Sequence, residues 1–274
     1  MTEDFDAFND FERSMWEQRA IGYADGFEAV TALTIEPLLD AVGAHEGTDL
    51  VDVGTGPGFV AAAAVARGAN VTGIDVADAM VELASRRVPT GRFENGSAEA
   101  LPLPDGAFDA VVGNFVILHL GHPDRGASEA RRVLRAGGRC AFSVWEPAAA
   151  NPAMGVFYNA VEAARVAAPA DVPTGPPMFG FGDHGAFADL LRDAGFEDVA
   201  ITACTGTLRI APEQWWESVL RSTPRTGTLI ARQAPEVQAE IRANYDELVA
   251  PYTDGDEVVL PIGAVLASGT APNS

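Results

Sequence analysis

The chain has 274 residues, of which 39 are acidic and 18 are basic, giving a formal net charge of −21. Every basic residue is Arg, which excludes mechanisms that need a Lys amine as nucleophile or Schiff base. A surface with this charge repels phosphate backbones and anionic lipids, so the sequence argues against a nucleic-acid or membrane partner.

Targeting and redox signals are also weak. No apolar run approaches the roughly 20 residues of a membrane span, and the N-terminus is acidic where a secretory signal would be basic. Cys140 and Cys204 are far apart and show no metal or redox spacing, which favours buried free thiols. We therefore expect a cytoplasmic protein.

Residues 1–45 have a helical pattern, with Trp16, Arg19, Ala20 and Tyr23 at helical spacing. From residue 49, short apolar runs alternate with helical segments, which is typical of βαβ units and a parallel sheet. The predicted strands are 49–53, 70–75, 91–94, 110–114 and 138–145. The helices between them are predicted to begin near Phe59, Ala77 and Asp124.

The second half of the chain is less regular. Residues 147–182 are rich in Pro and Gly around a predicted helix at 156–168, and 212–252 is again helical. A helix at 187–194 and strands at 196–208 and 257–267 lie between and after these parts. The predicted organisation is an N-terminal helical segment (1–45), a Rossmann-like core (46–146), two cap insertions (147–182 and 212–255), and segments 183–211 and 256–270 that complete the sheet.

A glycine-rich loop at 51–58, Val-Asp-Val-Gly-Thr-Gly-Pro-Gly, follows the first strand and opens a helix. Glycines allow a sharp turn and the close approach of a ligand. The third Gly comes one position too early for a dinucleotide fingerprint, and no Gly-Lys-Ser/Thr ending marks a P-loop. The alternative is an ordinary strand-to-helix turn.

Asp75 ends the second predicted strand. A carboxylate there lies beside the glycine loop and can accept both hydrogens of a ribose diol, and Val76 can lie against an adenine. The alternative role for Asp75 is that of a helix N-cap.

The chain resembles class I S-adenosylmethionine-dependent methyltransferases of the small-molecule subfamily in four segments that follow one another in order. These segments are the glycine-rich loop at 51–58, GIDVADAM at 73–80, NGSAEALPLPDGAFDAVV at 95–112 and EARRVLRAGGRCAFSVW at 129–145. The resemblance implies an α/β, doubly wound, mostly parallel seven-stranded sheet whose last strand is antiparallel. It also implies S-adenosyl-L-methionine as cofactor and a small-molecule substrate.

The resemblance further assigns individual positions. Gly54 and Gly56 would contact the methionine part of the cofactor, with Asp52 and Thr55 in the same turn. The ribose would be held by Asp75, and the adenine would meet Met80 and the loop Ser97, Ala98 and Glu99. That loop departs from the family, which usually has Asp in place of Ser97. Asn114 and Phe115 would reach the methionine end, and Tyr23, with Trp16, would close over the cofactor; their alternative is a helix stripe that faces the core.

His119 is the candidate general base, because it follows the fourth strand on the rim where ligands bind and an imidazole titrates near neutrality. The alternative is a His that only packs or bonds to the backbone. The pattern His119, His122 and Asp124 could suggest a metal, but Gly121 and Pro123 favour a turn with Asp124 as a helix N-cap, and no metal is predicted.

The acceptor pocket is less defined. Aromatic and polar residues of the insertions could cover a cleft or could form the core of the cap itself: Trp145, Glu146, Phe179, Phe181, His184, Trp215 and Trp216. The run Phe-Gly-Phe-Gly at 179–182 could act as a hinge.

The sequence thus predicts an enzyme that transfers a methyl group to O, N or C of a metabolite, such as a hydrophobic natural product. The alternative is an enzyme of the same fold that keeps S-adenosylmethionine as a non-transferring cofactor for cyclisation or group loss.

Overall fold

A computed structural model describes residues 5–166, 169 and 172–273. The N-terminal part is helical, as predicted: α1 (Phe5–Gly26), α2 (Glu28–Thr31), a 3₁₀ turn (Ala32–Thr34) and α3 (Ile35–Ala41).

The centre of the molecule is one mixed sheet. Its strands are β1 (Asp49–Val53), β2 (Asn70–Asp75), β3 (Arg92–Asn95), β4 (Phe108–Asn114), β5 (Leu134–Trp145), β6 (Glu197–Ile210), β7 (Thr253–Asp254) and β8 (Glu257–Thr270). The spatial order is β3-β2-β1-β4-β5-β8-β6, with the two-residue β7 paired to β8. Strands β1 to β5 pair in parallel, whereas β8 is antiparallel to both β5 and β6. The predicted fold class is confirmed, with β7 as one strand more than expected.

Helices flank this sheet: α4 (Phe59–Ala66), α5 (Asp78–Arg87), α6 (Pro123–Val133) and α8 (His184–Asp193). α3 contacts α4 and α4 contacts α5, while α6 contacts α8. The inner strands β1 and β4 are buried along most of their length, as expected for parallel strands that are covered on both faces. Cys140 and Cys204 are buried free thiols, as predicted.

Four further helices pack together beside α1: α7 (Pro152–Ala163), α9 (Pro212–Ser222), α10 (Pro224–Ala231) and α11 (Pro235–Val249). Their core is aromatic. Phe157 lies 5.7 Å from Trp216 and 4.8 Å from Tyr245, measured between ring centroids. We propose that these helices form the cap, in line with the insertions expected from the sequence.

Several predicted boundaries were wrong. Asp124 is not a helix N-cap: α6 begins at Pro123 with His122 at the cap position, and no side chain caps it. The helix expected at 156–168 begins four residues earlier, at Pro152, and ends at Ala163, while 167–168 lie outside the described residues. Strands β6 and β8 run further than expected because they pair with each other along their length.

Among the described residues, none of the helices combines the length and apolarity that a membrane crossing requires.

Candidate functional site

A cleft of about 1130 Å³, open to solvent, lies at the carboxyl ends of the parallel strands. It is lined by residues that follow β1, β2, β3, β4 and β5, and by one face of α1. Of the candidate site residues predicted from the sequence, fourteen line it: Trp16, Tyr23, Gly54, Gly56, Asp75, Val76, Met80, Ser97, Ala98, Glu99, Asn114, Phe115, His119 and Trp145.

The glycine-rich bend forms the floor of the cleft. Gly54 has φ +65° and Gly56 has φ +53°, values that disfavour residues with a side chain. A Cβ on Gly54 would also lie 2.5 Å from Cγ2 of Val116. The backbone N–H groups of Gly54 and Thr55 donate to the carbonyl of Ile74, at 2.8 and 3.0 Å, so the bend is tied to the end of β2.

Asp52 and Thr55, by contrast, do not line the cleft and lie beneath it. The Thr55 hydroxyl donates to Oδ2 of Asp52 at 2.7 Å, and Oδ1 of Asp52 has no partner among the described residues. Burial raises the pKa of Asp52 to about 7, and the charge of Asp75 adds to the effect. Asp52 and Thr55 therefore support the bend from below.

Asp75 joins β2 to the bend. Its Oδ2 accepts from the backbone N–H of Gly56 at 2.8 Å and its Oδ1 from that of Ala77 at 3.0 Å. Ala77, not Asp75, is the N-cap residue of α5. Burial raises the pKa of Asp75 to about 6. Each oxygen keeps a second lone pair, so the carboxylate can still accept from a ligand in the cleft.

The next part of the wall is suited to a flat apolar group with a polar edge. Met80 is buried against Ala20 and Ala77, with Trp16 packed beside them. Ser97 faces the same space and its hydroxyl accepts from the backbone N–H of Glu99 at 3.1 Å.

Glu99 holds the far end of this wall. Its carboxylate accepts from the side-chain amide of Asn9 and from the backbone N–H of His122, at 2.9 Å each.

Tyr23 and Trp16 come from α1 and line the cleft rather than only the core. Their rings meet edge to face at 5.3 Å. Burial raises the pKa of Tyr23 to about 12, so its hydroxyl stays protonated.

Asn114 and Phe115 follow β4. The side chain of Asn114 is engaged within the protein: it accepts from Thr34 and Ser143 at 2.6 Å each and donates to the carbonyl of Thr31 at 3.1 Å. Phe115 has φ +56°, which is rare for a residue with a side chain, and its ring stacks on Trp145 at 3.8 Å. This backbone conformation places an aromatic pair in the wall of the cleft.

His119 has a partner that the sequence did not reveal. Its Nδ1 lies 2.9 Å from Oε2 of Glu12, which is 3% exposed, and its ring meets Trp16 at 5.0 Å. A carboxylate can only accept a hydrogen bond, so this contact places the ring proton on Nδ1 and leaves the lone pair on Nε2. Within the described residues, no three His, Cys, Asp or Glu side chains group as metal ligands.

Most of the aromatic residues expected over the cleft are elsewhere. Trp145 lines it, but Trp215 and Trp216 pack in the aromatic core of the proposed cap, against Phe157. Phe179, Phe181, Glu146 and His184 are not among the lining residues, and His184 instead contacts Glu146 at 2.9 Å.

Sequence reasoning missed several residues of the cleft: Asn9, Glu12, Thr31, Met154, Met178, Thr223, Pro224, Arg225 and Thr226. Glu12 lies one helical turn before Trp16 on the same face of α1, and this spacing was the one available signal. Arg225 had no signal, because only the packing of α10 brings it to the cleft.

Comparison with known proteins agrees with this geometry. Residues 51–142 match the family described as "Methyltransferase domain". Residues 51–142 therefore belong to a methyltransferase domain. The match begins within β1 and ends within β5, and it includes the glycine bend, Asp75 and His119.

Curated relatives of this methyltransferase domain include demethylmenaquinone methyltransferase of Renibacterium salmoninarum, 26% identical over 68% of this chain and 82% of the relative. Nocamycin O-methyltransferase of Saccharothrix syringae is 36% identical over 59% of this chain and 64% of the relative. For several other curated relatives, the matched segment spans less than half of their length, at 31%, 49% and 42%.

Solved structures share the methyltransferase fold at low sequence identity. The YcgJ protein of Bacillus subtilis is 19% identical with a TM-score of 0.58, covering 88% of this chain and 99% of that one. The [4+2]-cyclase SpnF is 20% identical with a TM-score of 0.52, covering 88% of this chain and 80% of that one. At these identities, the likeness concerns the fold.

Proposed function

We propose that the protein is an S-adenosylmethionine-dependent methyltransferase that acts on a small molecule. The observation that carries this proposal is the joining of the glycine bend to Asp75 at the carboxyl ends of β1 and β2. The matched methyltransferase domain and the relatives that are named as methyltransferases of small molecules support it.

The residues of the cleft fit the cofactor. The position of a Cβ on Gly56 is open, since the nearest atom to it is Cε1 of Tyr23 at 3.9 Å. Asp75 offers free lone pairs to a ribose diol, and Met80 with Val76 offers an apolar surface to an adenine. When bound, S-adenosylmethionine supplies a methyl group on a positively charged sulfur, already activated for displacement. The acidic side chains around the cleft suit that charge.

The chain's own residues then have three tasks. The bend and Asp75 bind and orient, since positioning alone can lower a barrier by roughly 7–11 kcal/mol. Phe115 and Trp145 form an apolar wall that excludes water. His119 accepts a proton at Nε2 from the hydroxyl or amine that receives the methyl group, while Glu12 holds its ring in the required tautomer.

Cofactor binding tests the first task. Asp75→Asn removes the charge and is expected to weaken the affinity for S-adenosylhomocysteine, the demethylated product, by about 10–100-fold, because hydrogen bonds to a charged group are lost. Isothermal titration calorimetry measures this. Asp78→Asn, on the exposed start of α5, is the matched control and should bind as wild type does. Equal affinity in Asp75→Asn would contradict the assignment.

Turnover tests the base. With a hydroxylated acceptor found by screening for release of S-adenosylhomocysteine, His119→Asn and Glu12→Gln are each expected to lower kcat by about 100-fold. The loss should shrink as pH rises, since an acceptor that ionises by itself needs no base; a purely structural role predicts no such recovery. His184→Asn, outside the cleft, is the control. Full activity of His119→Asn would remove it from the mechanism.

The alternative use of the same cofactor makes a distinct prediction in this assay. If the enzyme catalyses cyclisation or group loss, product forms without release of S-adenosylhomocysteine. Measuring both product mass and S-adenosylhomocysteine in one reaction separates the two functions.

A further inference from the structure

The cleft contains a positively charged side chain that the proposed reaction does not yet use. Arg225, in the first turn of α10, is the single arginine among the described residues that line the cleft. Its Nη1 is buried and has no hydrogen-bond partner within the described part of the chain. Its guanidinium lies 5.4 Å from the centre of the Phe8 ring, which is itself buried.

A second buried atom without a partner belongs to Glu12, which also lines the cleft. Oε2 of Glu12 accepts a hydrogen bond from Nδ1 of His119, but Oε1 is buried and has no partner among the described residues. Glu12 and Arg225 interact electrostatically, yet no ion pair within 4.0 Å joins them in the described structure. Two residues that line the cleft therefore carry one unsatisfied donor and one unsatisfied acceptor.

Such atoms are rarely left unsatisfied in a folded protein, because burial removes them from water without replacing the lost hydrogen bonds. Burial lowers the pKa of Arg225, but a guanidinium remains charged at neutral pH. A ligand that accepts from Arg225 and donates to Glu12 would satisfy both.

We propose that the methyl acceptor is an anionic small molecule whose carboxylate binds Arg225 and whose hydroxyl or amine donates to Oε1 of Glu12. This proposal rests on the proposed function. The two N–H groups of a guanidinium fork match the two oxygens of a carboxylate. The carboxylate of Glu12 can only accept a hydrogen bond, so its partner on the ligand must be a donor group.

The apolar lining of the cleft limits what the body of the acceptor can be. Met154, Met178, Trp145 and Phe27 are apolar, and Met side chains adapt to ligands of irregular shape. A flat apolar acid fits this lining better than a sugar or a peptide, which would need more polar partners. The charge of −21 over the whole chain does not attract anions, so recognition of an acid depends on this local cation.

The test compares acids with their neutral amides. Binding of 3-hydroxybenzoate and 4-hydroxycinnamate, and of 3-hydroxybenzamide and 4-hydroxycinnamamide, is measured by calorimetry with S-adenosylhomocysteine present. Wild type should bind each acid at least about tenfold more tightly than its amide, a preference of the size expected for a charge-assisted hydrogen bond. Arg225→Gln should lose this preference and keep its affinity for S-adenosylhomocysteine. Arg221→Gln, an exposed arginine on α9, is the matched control and should behave as wild type.

A second measurement separates recognition from structure. If Arg225 serves the ligand, Arg225→Met should have a Tm equal to or above that of wild type, since it removes an unpaired buried charge. Wild type that binds acids and amides equally, or binds no acid, would overturn the proposal, as would an acid preference retained by Arg225→Gln. Failure of S-adenosylhomocysteine to bind wild type would instead count against the proposed function.

Discussion

Asp52 is a buried carboxyl group that accepts a hydrogen bond with only one of its two oxygens. Burial raises its pKa to about 7, whereas the group titrates near 3.9 in an unfolded chain. Between about pH 4 and pH 7 the folded protein therefore holds a proton that the unfolded chain has released. The free energy of unfolding falls as pH rises through this window, and the loss is complete above it.

Asp52→Asn removes this titration. The quantity to compare is the free energy of unfolding of Asp52→Asn minus that of wild type. This difference should be larger at pH 7.5 than at pH 5.5 by about 1–2 kcal/mol, because only wild type loses stability between these pH values. Urea unfolding at the two pH values measures the difference. Asp49→Asn is the control: contact with Arg135 lowers the pKa of Asp49, so its titration lies outside this window. Parallel pH profiles for wild type and Asp52→Asn would contradict the assignment.

Residues differ in how far the sequence could predict them. Gly54, Gly56 and Asp75 belong to one short stretch of chain whose spacing carries the chemistry, and all three line the cleft. Asp52 and Thr55 share that stretch, but the side-chain alternation of β1 and the turn of the bend place them beneath the floor. Glu12 and Arg225 are separated by most of the chain, and only tertiary packing brings them to one cleft.

At the scale of elements, the contact between α1 and α9 positions the residues of α1 over the cleft. A Cβ on Gly22 would lie 2.9 Å from the carbonyl oxygen of Arg221, so the helices approach as closely as a missing side chain allows. The hydroxyl of Ser222 donates to the carbonyl of Gly22 at 3.0 Å. The position of Tyr23, the next residue, depends on this approach.

Gly22→Val should push α1 away from α9. We expect the free energy of unfolding to fall by about 1–3 kcal/mol, as for other overpacked contacts. Binding of S-adenosylhomocysteine should weaken at least about tenfold if the shift of α1 removes about 1.4 kcal/mol of binding free energy. Chemical unfolding and calorimetry check the two effects. Ile21→Val places the same residue one position earlier, where the side chain is 71% exposed, and should change neither.

The elements of the core were more predictable than those of the cap. β1 and β2 have the predicted bounds because apolar runs flanked by Gly, Asn and Asp mark short buried strands clearly. The start of α7 at Pro152 was missed, because a Pro in a loop-rich stretch is also compatible with a turn, although Pro is well suited to the first turn of a helix.

For the whole molecule, the main unusual quantity is charge. With 39 acidic and 18 basic residues, self-repulsion opposes the compact state. Salt screens this repulsion, since the Debye length falls from roughly 30 Å at 0.01 M to about 8 Å at 0.15 M.

Thermal unfolding should therefore shift upward with salt. From 10 to 150 mM NaCl we expect the Tm to rise by about 2–5 °C, on the order of 1 kcal/mol. Tetramethylammonium chloride at equal ionic strength should give the same rise if screening is the cause. A Tm that falls or stays constant would show that ion pairs such as Arg132 with Glu129 outweigh the repulsion.

Helix α1 carries Trp16 and Tyr23 toward the part of the cleft assigned to the cofactor, and Glu12 toward the part assigned to the acceptor. Both ligands would thus share one wall. Fixing that wall for the first ligand lowers the cost of fixing it for the second, so we expect positive cooperativity between them. By thermodynamic reciprocity, each ligand should tighten the other by the same factor.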